Sequence, residues 1–240
     1  MHKAIMVGLA AAAVSVVGCS EARSQDAGPM TERDYKVGGF DKVELAGAYD
    51  ADIRTGSAAS VHAKGGQNVL DRLIVEVKDG RLLIHPKDKH FNWGHGSRGK
   101  VELTVTVPTL SGAELAGAGN IHIDRVAGNS FDGAVAGAGD LRVEHVEVQS
   151  LKVSIAGAGN AHLMGGRAQQ ASYDIAGSGG IDAKGVQAET AAVSIAGSGD
   201  VDGHASKTAS VSIMGAGDVR LTGGAKCSVS KAGAGNVSCS

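Results

Sequence analysis

Acidic and amide side chains recur at one position of a repeated pattern, directly after a short glycine turn. The residues at this position are Asn120, Asp140, Asn160, Gly180, Asp200, Asp218 and Asn236, with glycine standing in once. Stacked carboxylates could bind Ca²⁺, which takes oxygen ligands, and Asp200, Asp202 and Asp218 form the densest acidic group. The alternative is turn chemistry, because Asn and Asp tolerate a left-handed backbone and cap their own turns. We favour the turn role and predict no metal and no other cofactor.

A second group with binding chemistry lies between residues 85 and 95, where three histidines accompany the single tryptophan of the chain. His90, Trp93 and His95 could bind a metal ion or stack a sugar ring on the indole. The histidine spacing matches no standard zinc arrangement, so an exposed loop is the simpler interpretation. Because functional groups concentrate on loops, this segment is nevertheless where we expect a ligand loop if the chain has one.

Serines form a third repeated group. They stand three residues before a glycine turn, or two residues earlier still, at Ser154, Ser194, Ser212, Ser230, Ser172, Ser210 and Ser228. On one outward face these hydroxyls could meet glycans or another copy of the chain. The alternative is that serine only keeps a strand face soluble.

Sequence signatures of catalysis are missing. The chain has no nucleophile elbow, phosphate-binding loop or dinucleotide fingerprint, and its acidic and basic groups are scattered. We therefore predict a protein that is not an enzyme. The alternatives are an extracytoplasmic carbohydrate-active enzyme of β-helix type and a purely structural envelope component. A net charge of −2 gives no electrostatic reason to bind nucleic acid.

The glycine turns themselves recur with a nearly constant period, which shortens slightly over the last two steps. Each is Gly-Ala-Gly or Gly-Ser-Gly, and they begin at Gly117, Gly137, Gly157, Gly177, Gly197, Gly215 and Gly233. A fixed period of roughly 20 residues indicates one structural unit stacked on copies of itself. A single unit cannot bury enough apolar surface to offset its backbone entropy, so the units must stack into a solenoid.

Apolar and polar residues alternate on both sides of each turn. Ile155, Ile175 and Ile195 stand two residues before a turn, and Ile121 stands four residues after one. This period of two is typical of strands, and the repeat length fits one coil of a parallel β-helix. A series of β-hairpins would also alternate, but hairpins prefer two-residue turns and need no long regular period. We predict an all-β solenoid with regular coils over residues 111–240.

Two cysteines flank the last glycine turn at equal distance. Cys227 lies six residues before Gly233 and Cys239 lies six residues after it, at positions that point inward in the earlier repeats. A disulfide could join them across the last coil; the alternative is two reduced, buried thiols. Lys231 stands where earlier coils have an inward aliphatic residue, and an inward charge in a terminal layer protects an open sheet edge from aggregation.

The first residues predict export. An apolar run over residues 5–17 is too short for a transmembrane helix and is typical of a secretory signal. Small residues before Cys19 resemble the lipobox of bacterial lipoproteins, so we predict a signal peptide over residues 1–19 and a lipid on Cys19 that anchors the protein to a membrane. The alternative is an ordinary signal cut near Ala22 or Ala27. Residues 20–34 are polar and predict a flexible tether.

Residues 35–110 lack the regular turn but continue into the repeats without a linker. They contain one related copy around Gly47 and a hairpin signal at Asp79-Gly80. We therefore predict one domain over residues 35–240, with a more irregular β half over residues 35–110.

The segment Phe40-Asp41-Lys42-Val43-Glu44-Leu45-Ala46-Gly47, the hairpin and the repeated Gly-Ala-Gly-Asn-Ile or Gly-Ser-Gly-Asp-Val turns resemble the GIN-domain family of auto-transporter adhesin heads. The resemblance covers about residues 35–240. It implies a right-handed parallel β-helix with a bent first part, a role in adhesion, and no catalytic residues. Together with the lipobox, it predicts an exported lipoprotein of the cell envelope, at the outer membrane or in the periplasm, whose solenoid binds a glycan or a surface protein.

Overall fold

The computed structural model of the protein describes residues 27–87 and 100–240. These residues form eighteen strands, joined in one hydrogen-bonded sheet around a single core, and one short helix, α1 (Gln67–Leu70). The strands of the first part are β1 (Met30–Tyr35), β2 (Lys42–Gly47), β3 (Asp50–Thr55), β4 (Ser60–Gly66), β5 (Leu73–Lys78), β6 (Arg81–Pro86) and β7 (Glu102–Val107). The strands of the second part are β8 (Gly112–Gly117), β9 (Asn120–Gly137), β10 (Asp140–Gly157), β11 (Asn160–Leu163), β12 (Gly166–Gly177), β13 (Gly180–Asp182), β14 (Val186–Gly197), β15 (Asp200–Gly215), β16 (Val219–Thr222), β17 (Lys226–Gly233) and β18 (Val237–Cys239).

Each coil of the second part lies directly on the next, with parallel strands. Ile155 pairs with Val135 in the coil before it and with Ile175 in the coil after it, and Ile175 pairs in turn with Ile195. The predicted period between turns is therefore the hydrogen-bonding offset between coils, and the hairpin alternative is excluded for these strands. The result is a β-solenoid of about six turns.

The shorter spacing of the last turns is accommodated without breaking the inward columns. Gly180 pairs with Asp200 at the earlier, longer spacing, whereas Ala191 pairs with Ala209 at the shorter one. The offset is already 17 residues at Ala188 and Ala205, and an irregularity of register just after Ala188 raises it to the 18 residues that separate Thr190 from Thr208. The shortened coil therefore stays in line with its neighbours.

Both glycines of each turn are required, for different reasons. Gly137 has a φ of 135°, which favours glycine, and a Cβ there would overlap the carbonyl oxygen of Gly117 in the preceding coil. A Cβ on Gly139 would overlap the carbonyl oxygen of Gly119 in the same way. Ala138, between the two glycines, is exposed. Close backbone contact between stacked turns thus excludes side chains at both glycine positions and tolerates Ala or Ser between them.

The inward side chains form one apolar core, and its two largest rings lie next to glycines. Phe131 and Tyr173 are both fully buried. A Cβ on Gly133 would lie 3.3 Å from Phe131 Cε1, and a Cβ on Gly203 would lie 3.5 Å from Tyr173 Cε2. The two rings fill the space that side chains at Gly133 and Gly203 would otherwise occupy. The core therefore stays filled although many of its residues are small.

The first part of the chain begins the solenoid and then departs from it. Leu45 in β2 pairs with Leu115, and Ile53 in β3 pairs with Ile123, both in parallel. The related copy around Gly47 is therefore part of a stacked coil. Strand β4 runs antiparallel to β7, and β5 runs antiparallel to β6. These antiparallel pairs interrupt the parallel stacking in this half of the chain.

The predicted hairpin is confirmed. Strands β5 and β6 pair antiparallel, with Lys78 opposite Arg81. Asp79 and Gly80, between them, have φ angles of 51° and 74°, as a tight two-residue hairpin turn requires.

The predicted tether is wrong over its last residues. Met30–Tyr35 forms β1, which pairs antiparallel with β4. The guanidinium of Arg33 donates hydrogen bonds to Asp71 Oδ1 at 2.6 Å and to the carbonyl oxygen of Leu70 at 3.0 Å. A polar segment forms a strand here because β4 supplies backbone partners and Arg33 finds a carboxylate, neither of which composition alone indicates.

Candidate functional site

Four of the residues selected from the sequence lie outside the described part of the chain. They are Cys19 of the lipobox and His90, Trp93 and His95 of the ligand loop. Lipidation and ligand binding at these residues therefore stay predictions.

The two C-terminal cysteines are joined to each other. Cys227 in β17 and Cys239 in β18 form a disulfide, with their Cα atoms 6.6 Å apart. They pair in register with Ala209 and Leu221, which are buried. Both cysteines therefore continue inward columns of the solenoid, although Cys239 in the last described strand is itself exposed.

The Asn and Asp residues after the turns link consecutive coils. Asp140 Oδ1 accepts hydrogen bonds from the backbone N–H of Asn160 at 3.2 Å and from its Nδ2 at 3.0 Å. Asn160 Oδ1 accepts in turn from the N–H of Gly180 at 3.1 Å. None of these side chains belongs to a residue with positive φ. These side chains cap backbone groups, as predicted. The prediction that they cap their own turns was wrong, because each accepts from a backbone N–H of the following coil.

The three aspartates weighed as a calcium site have other partners. Asp200 Oδ1 accepts from the backbone N–H of Asp218 at 2.8 Å, so these two belong to the capping series. Asp202 lies 3.1 Å from Arg220 Nη1 and 3.6 Å from Lys184 Nζ. Within residues 27–87 and 100–240, no group of three or more His, Cys, Asp or Glu side chains could hold a metal ion. The calcium hypothesis therefore has no support in this part of the chain.

The serines share their face with alanine. Ser154, Ser194 and Ser212 stand in one outward row, together with Asp174. Two residues further along the strands runs a parallel row of small apolar side chains and one methionine, consisting of Ala116, Ala136, Ala156, Ala176, Ala196, Met214 and Ala232. We call these two rows the serine–alanine face. A concave region of about 350 Å³ lies on this face, lined among others by Ser154, Asp174 and Ser194.

A groove that the sequence analysis did not predict runs along another side of the solenoid and encloses about 510 Å³. Its floor lies at Val148, Ala168 and Ala188, whose side chains are buried in the core and stacked in register. Polar side chains stand on both sides of this floor. The first wall is Glu147, Arg167 and Gln187, and the second wall is Gln149, Gln169 and Glu189. Gly128 lies at one end of the groove, and His204 and Ser206 lie at the other.

The walls arise from a triplet that recurs in three successive coils. The triplets are Glu147-Val148-Gln149, Arg167-Ala168-Gln169 and Gln187-Ala188-Glu189. Because neighbouring side chains of extended backbone point to opposite faces, the central residue enters the core and its two neighbours point outward. This polar–apolar–polar pattern, repeated at the spacing of the coils, was the signal available in the sequence.

Much of the hydrogen-bonding capacity of the walls is unused within the molecule. The side chains without a partner among residues 27–87 and 100–240 are those of Arg167, Gln149, Gln169 and Gln187. Amide and guanidinium groups offer several donors, and the amides also offer an acceptor. These groups are therefore available to a polar ligand.

The remaining polar groups of the groove are partly engaged. Lys207 Nζ donates to Glu189 Oε2 at 2.6 Å, and His145 Nε2 lies 3.7 Å from Glu147 Oε2. His204 Nδ1 is buried with no hydrogen-bond partner in the described residues. The groove thus combines two acids, one unpaired guanidinium and several amides, with no dominant charge.

On a neighbouring outward row, the carboxylate of Glu144 forms ion pairs. Glu144 accepts hydrogen bonds from Arg142 Nε at 2.6 Å and from His122 Nε2 at 3.0 Å. The bond from Arg142, followed by the bond from His122, lowers the pKa of Glu144. A general acid at neutral pH needs a raised pKa, so this cluster favours ion pairing over acid catalysis.

Comparison with known sequences gives one family. Residues 39–225 match the family described as "Putative auto-transporter adhesin, head GIN domain". A comparison with curated proteins gives no match. The helix of the described residues, Gln67–Leu70, is far too short to cross a membrane.

Solved structures share the fold. A "putative adhesin" from Bacteroides fragilis NCTC 9343 is 26% identical, with a TM-score of 0.81 over 88% of this chain and 97% of that one. A "putative lipid binding protein" from Parabacteroides distasonis ATCC 8503 is 24% identical, with a TM-score of 0.70 over 89% of this chain and 97% of that one. A "putative adhesin" from the same strain is 22% identical, with a TM-score of 0.65 over 89% of this chain and 98% of that one. At these lower identities the latter two support the fold alone.

Proposed function

This chain belongs to the family described as "Putative auto-transporter adhesin, head GIN domain", and we propose that it is an exported, non-enzymatic protein that adheres to glycans through its polar groove. The family description concerns adhesion, and the related structure from Bacteroides fragilis carries the same term. Adhesion requires a surface that is free to bind a partner. The groove meets that requirement with several polar side chains that have no partner in the described residues.

The observation that carries the proposal is the pair of polar walls. Gln149, Gln169 and Arg167 have unused donors beside the buried side chain of Ala168. Sugars present hydroxyl groups at the ring edge and C–H groups on the ring faces. Amide and guanidinium groups can bind these hydroxyls. A volume of about 510 Å³ lies within the usual range for ligand sites.

A glycan array tests the proposal. We expect the purified protein to bind a subset of glycans, and the double variant Gln149→Ala/Gln169→Ala to lose that binding. The matched control is Ser194→Ala/Ser212→Ala on the serine–alanine face, which should bind as the wild type does. Loss of binding in the control variant alone would indicate that the glycan binds to the serine–alanine face and would contradict the groove as the site. An array without any signal, together with capture of a surface protein, would replace the glycan by a protein partner.

The non-enzymatic part of the proposal needs its own test. The glycan found on the array is incubated with the protein and then analysed by chromatography and mass spectrometry. We expect the glycan to be recovered unchanged. Shortened or unsaturated products would support a carbohydrate-active enzyme instead.

We also propose that the protein is anchored in the cell envelope through a lipid on Cys19. The support is the run of small residues before this cysteine at the end of an apolar segment. Cells expressing the chain are labelled with radioactive palmitate. We expect label in the wild type and none in Cys19→Ala, and label that persists in the variant would contradict the anchor.

A further inference from the structure

The walls of the groove repeat along the axis of the solenoid. Glu147 pairs in register with Arg167, and Arg167 pairs with Gln187. The second wall contributes one residue in each of the same coils, ending at Glu189. Since adjacent strands lie about 4.8 Å apart, a ligand lying in the groove meets a new pair of wall side chains at every step of about that length.

This spacing suits one class of polymer. Each sugar ring adds to a linear glycan a length close to the distance between neighbouring coils. An extended peptide advances by about 3.4 Å per residue, or about 6.8 Å between side chains on the same face, and therefore falls out of step with the coils. Building on the proposed glycan binding, we propose that the groove holds an internal segment of a linear, neutral polysaccharide, laid along the solenoid axis with one sugar ring per coil.

The end of the groove at Gly128 is compatible with an internal segment of a polymer. The lining runs from Gly128 through Val148, Ala168 and Ala188 to His204, which is about four coil separations, or ~19 Å. Gly128 has no side chain, and a Cβ placed on it would meet nothing within 4 Å. A polymer can therefore leave the groove at this end without a steric barrier.

The charges of the groove favour a neutral polymer. A carboxylate on every ring would approach Glu147 in one coil and Glu189 two coils later. It would also compete with Glu189 for Lys207, whose Nζ lies 2.6 Å from that carboxylate. Arg167 alone in the walls would attract it, so a polyanion gains one favourable contact and meets two carboxylates of like charge.

Chain-length dependence tests this arrangement. Calorimetric titrations of the full protein use neutral β-linked glucan, mannan and xylan oligosaccharides, from the monosaccharide to the hexasaccharide, and oligogalacturonate as the charged probe. For at least one neutral series we expect the Kd to fall with each added ring and to level off at about four rings. A monosaccharide that binds as tightly as the tetrasaccharide would overturn the axial arrangement while leaving glycan binding intact. Binding of oligogalacturonate alone would overturn the neutral ligand, and binding of no probe would overturn the inference.

Variants in the central coil sharpen the test. Gln169→Ala should weaken binding of the tetrasaccharide by about threefold to tenfold and leave the affinity for the monosaccharide much less affected. Gln169→Asn, which keeps the amide, should recover part of the loss. Ser194→Ala serves as the control, and circular dichroism checks that every variant is folded. Equal losses for Gln169→Ala and Ser194→Ala would contradict a ligand that lies in the groove.

Discussion

Asp218 and Asn236 stand one coil apart, and the carboxylate of Asp218 accepts hydrogen bonds from both the backbone N–H and the side-chain amide of Asn236, at 2.8 and 3.2 Å. The same relation joins Asp140 to Asn160. A side chain that belongs to one coil thus satisfies a backbone donor of the next. These links add to the parallel ladders and hold the turns in a straight column.

Loss of such a link should destabilise the solenoid. Asp218→Ala removes two hydrogen bonds and leaves the N–H of Asn236 without its acceptor, so we expect the free energy of unfolding to fall by about 1–2 kcal/mol. Urea denaturation followed by circular dichroism measures the change. Asp34→Ala is the control, because its 87% exposed side chain forms only a surface pair with His62, and we expect a change within about 0.5 kcal/mol. Equal effects of the two substitutions would contradict the linking role.

The core contains a hydroxyl that works against stability. Tyr173 is fully buried, and its OH has no hydrogen-bond partner among the residues that the structure describes. Burial also raises the pKa of Tyr173, which keeps the phenol neutral. We expect Tyr173→Phe to leave the free energy of unfolding unchanged or to raise it by about 1 kcal/mol. A loss of more than about 1 kcal/mol would mean that the hydroxyl is bonded after all.

The disulfide should secure the last coil. Cys227 and Cys239 are separated by 12 residues, and closing a loop of this size contributes roughly 2–3 kcal/mol. Lys231, which stands in register after Ile213, donates from Nζ to the carbonyl oxygen of Gly235 at 2.7 Å and so adds a second local contact. We expect Cys227→Ser/Cys239→Ser to lower the melting temperature and to speed hydrogen exchange in β17 and β18, while the central coils keep their protection. Two free thiols in the unreduced wild type would contradict the pairing.

The ion-pair cluster around Glu144 predicts a loss of stability in acid. Hydrogen bonds from Arg142 and His122 lower the pKa of Glu144 below its ordinary value of 4.5. A depressed pKa contributes stability that is complete above the pKa of the unfolded chain and is lost as the pH falls through the folded value. We therefore expect wild type and Glu144→Gln to differ in the free energy of unfolding at pH 7 and to converge towards pH 3. A difference that stays constant between these pH values would contradict the pKa shift.

The coils could be predicted from sequence because backbone contact imposes a residue type that is visible there. Gly157 and Gly177 must both be glycine, since a Cβ on Gly157 would overlap the carbonyl oxygen of Gly137 and a Cβ on Gly177 would overlap that of Gly157. The alternation that ends in Ile155 gives the strand, and the glycine spacing gives the register. These two signals are enough for the parallel stacking of the second half.

The groove was missed because no single residue marks it. Glu147 and Gln149 are ordinary surface residues when they are considered alone. They become walls only when Val148 is stacked on Ala168 and the polar neighbours of both line up on either side. Strand β1 was missed for a similar reason, because its partner β4 is distant in the sequence and composition does not reveal a pairing edge.

A crystal structure of the protein with a linear neutral tetrasaccharide tests binding in the groove most directly. We expect density for sugar rings over Val148, Ala168 and Ala188, with Gln169 and Arg167 within hydrogen-bonding distance of ring hydroxyls. Density over the serine–alanine face instead, or an empty groove at saturating tetrasaccharide, would contradict the groove as the adhesive site.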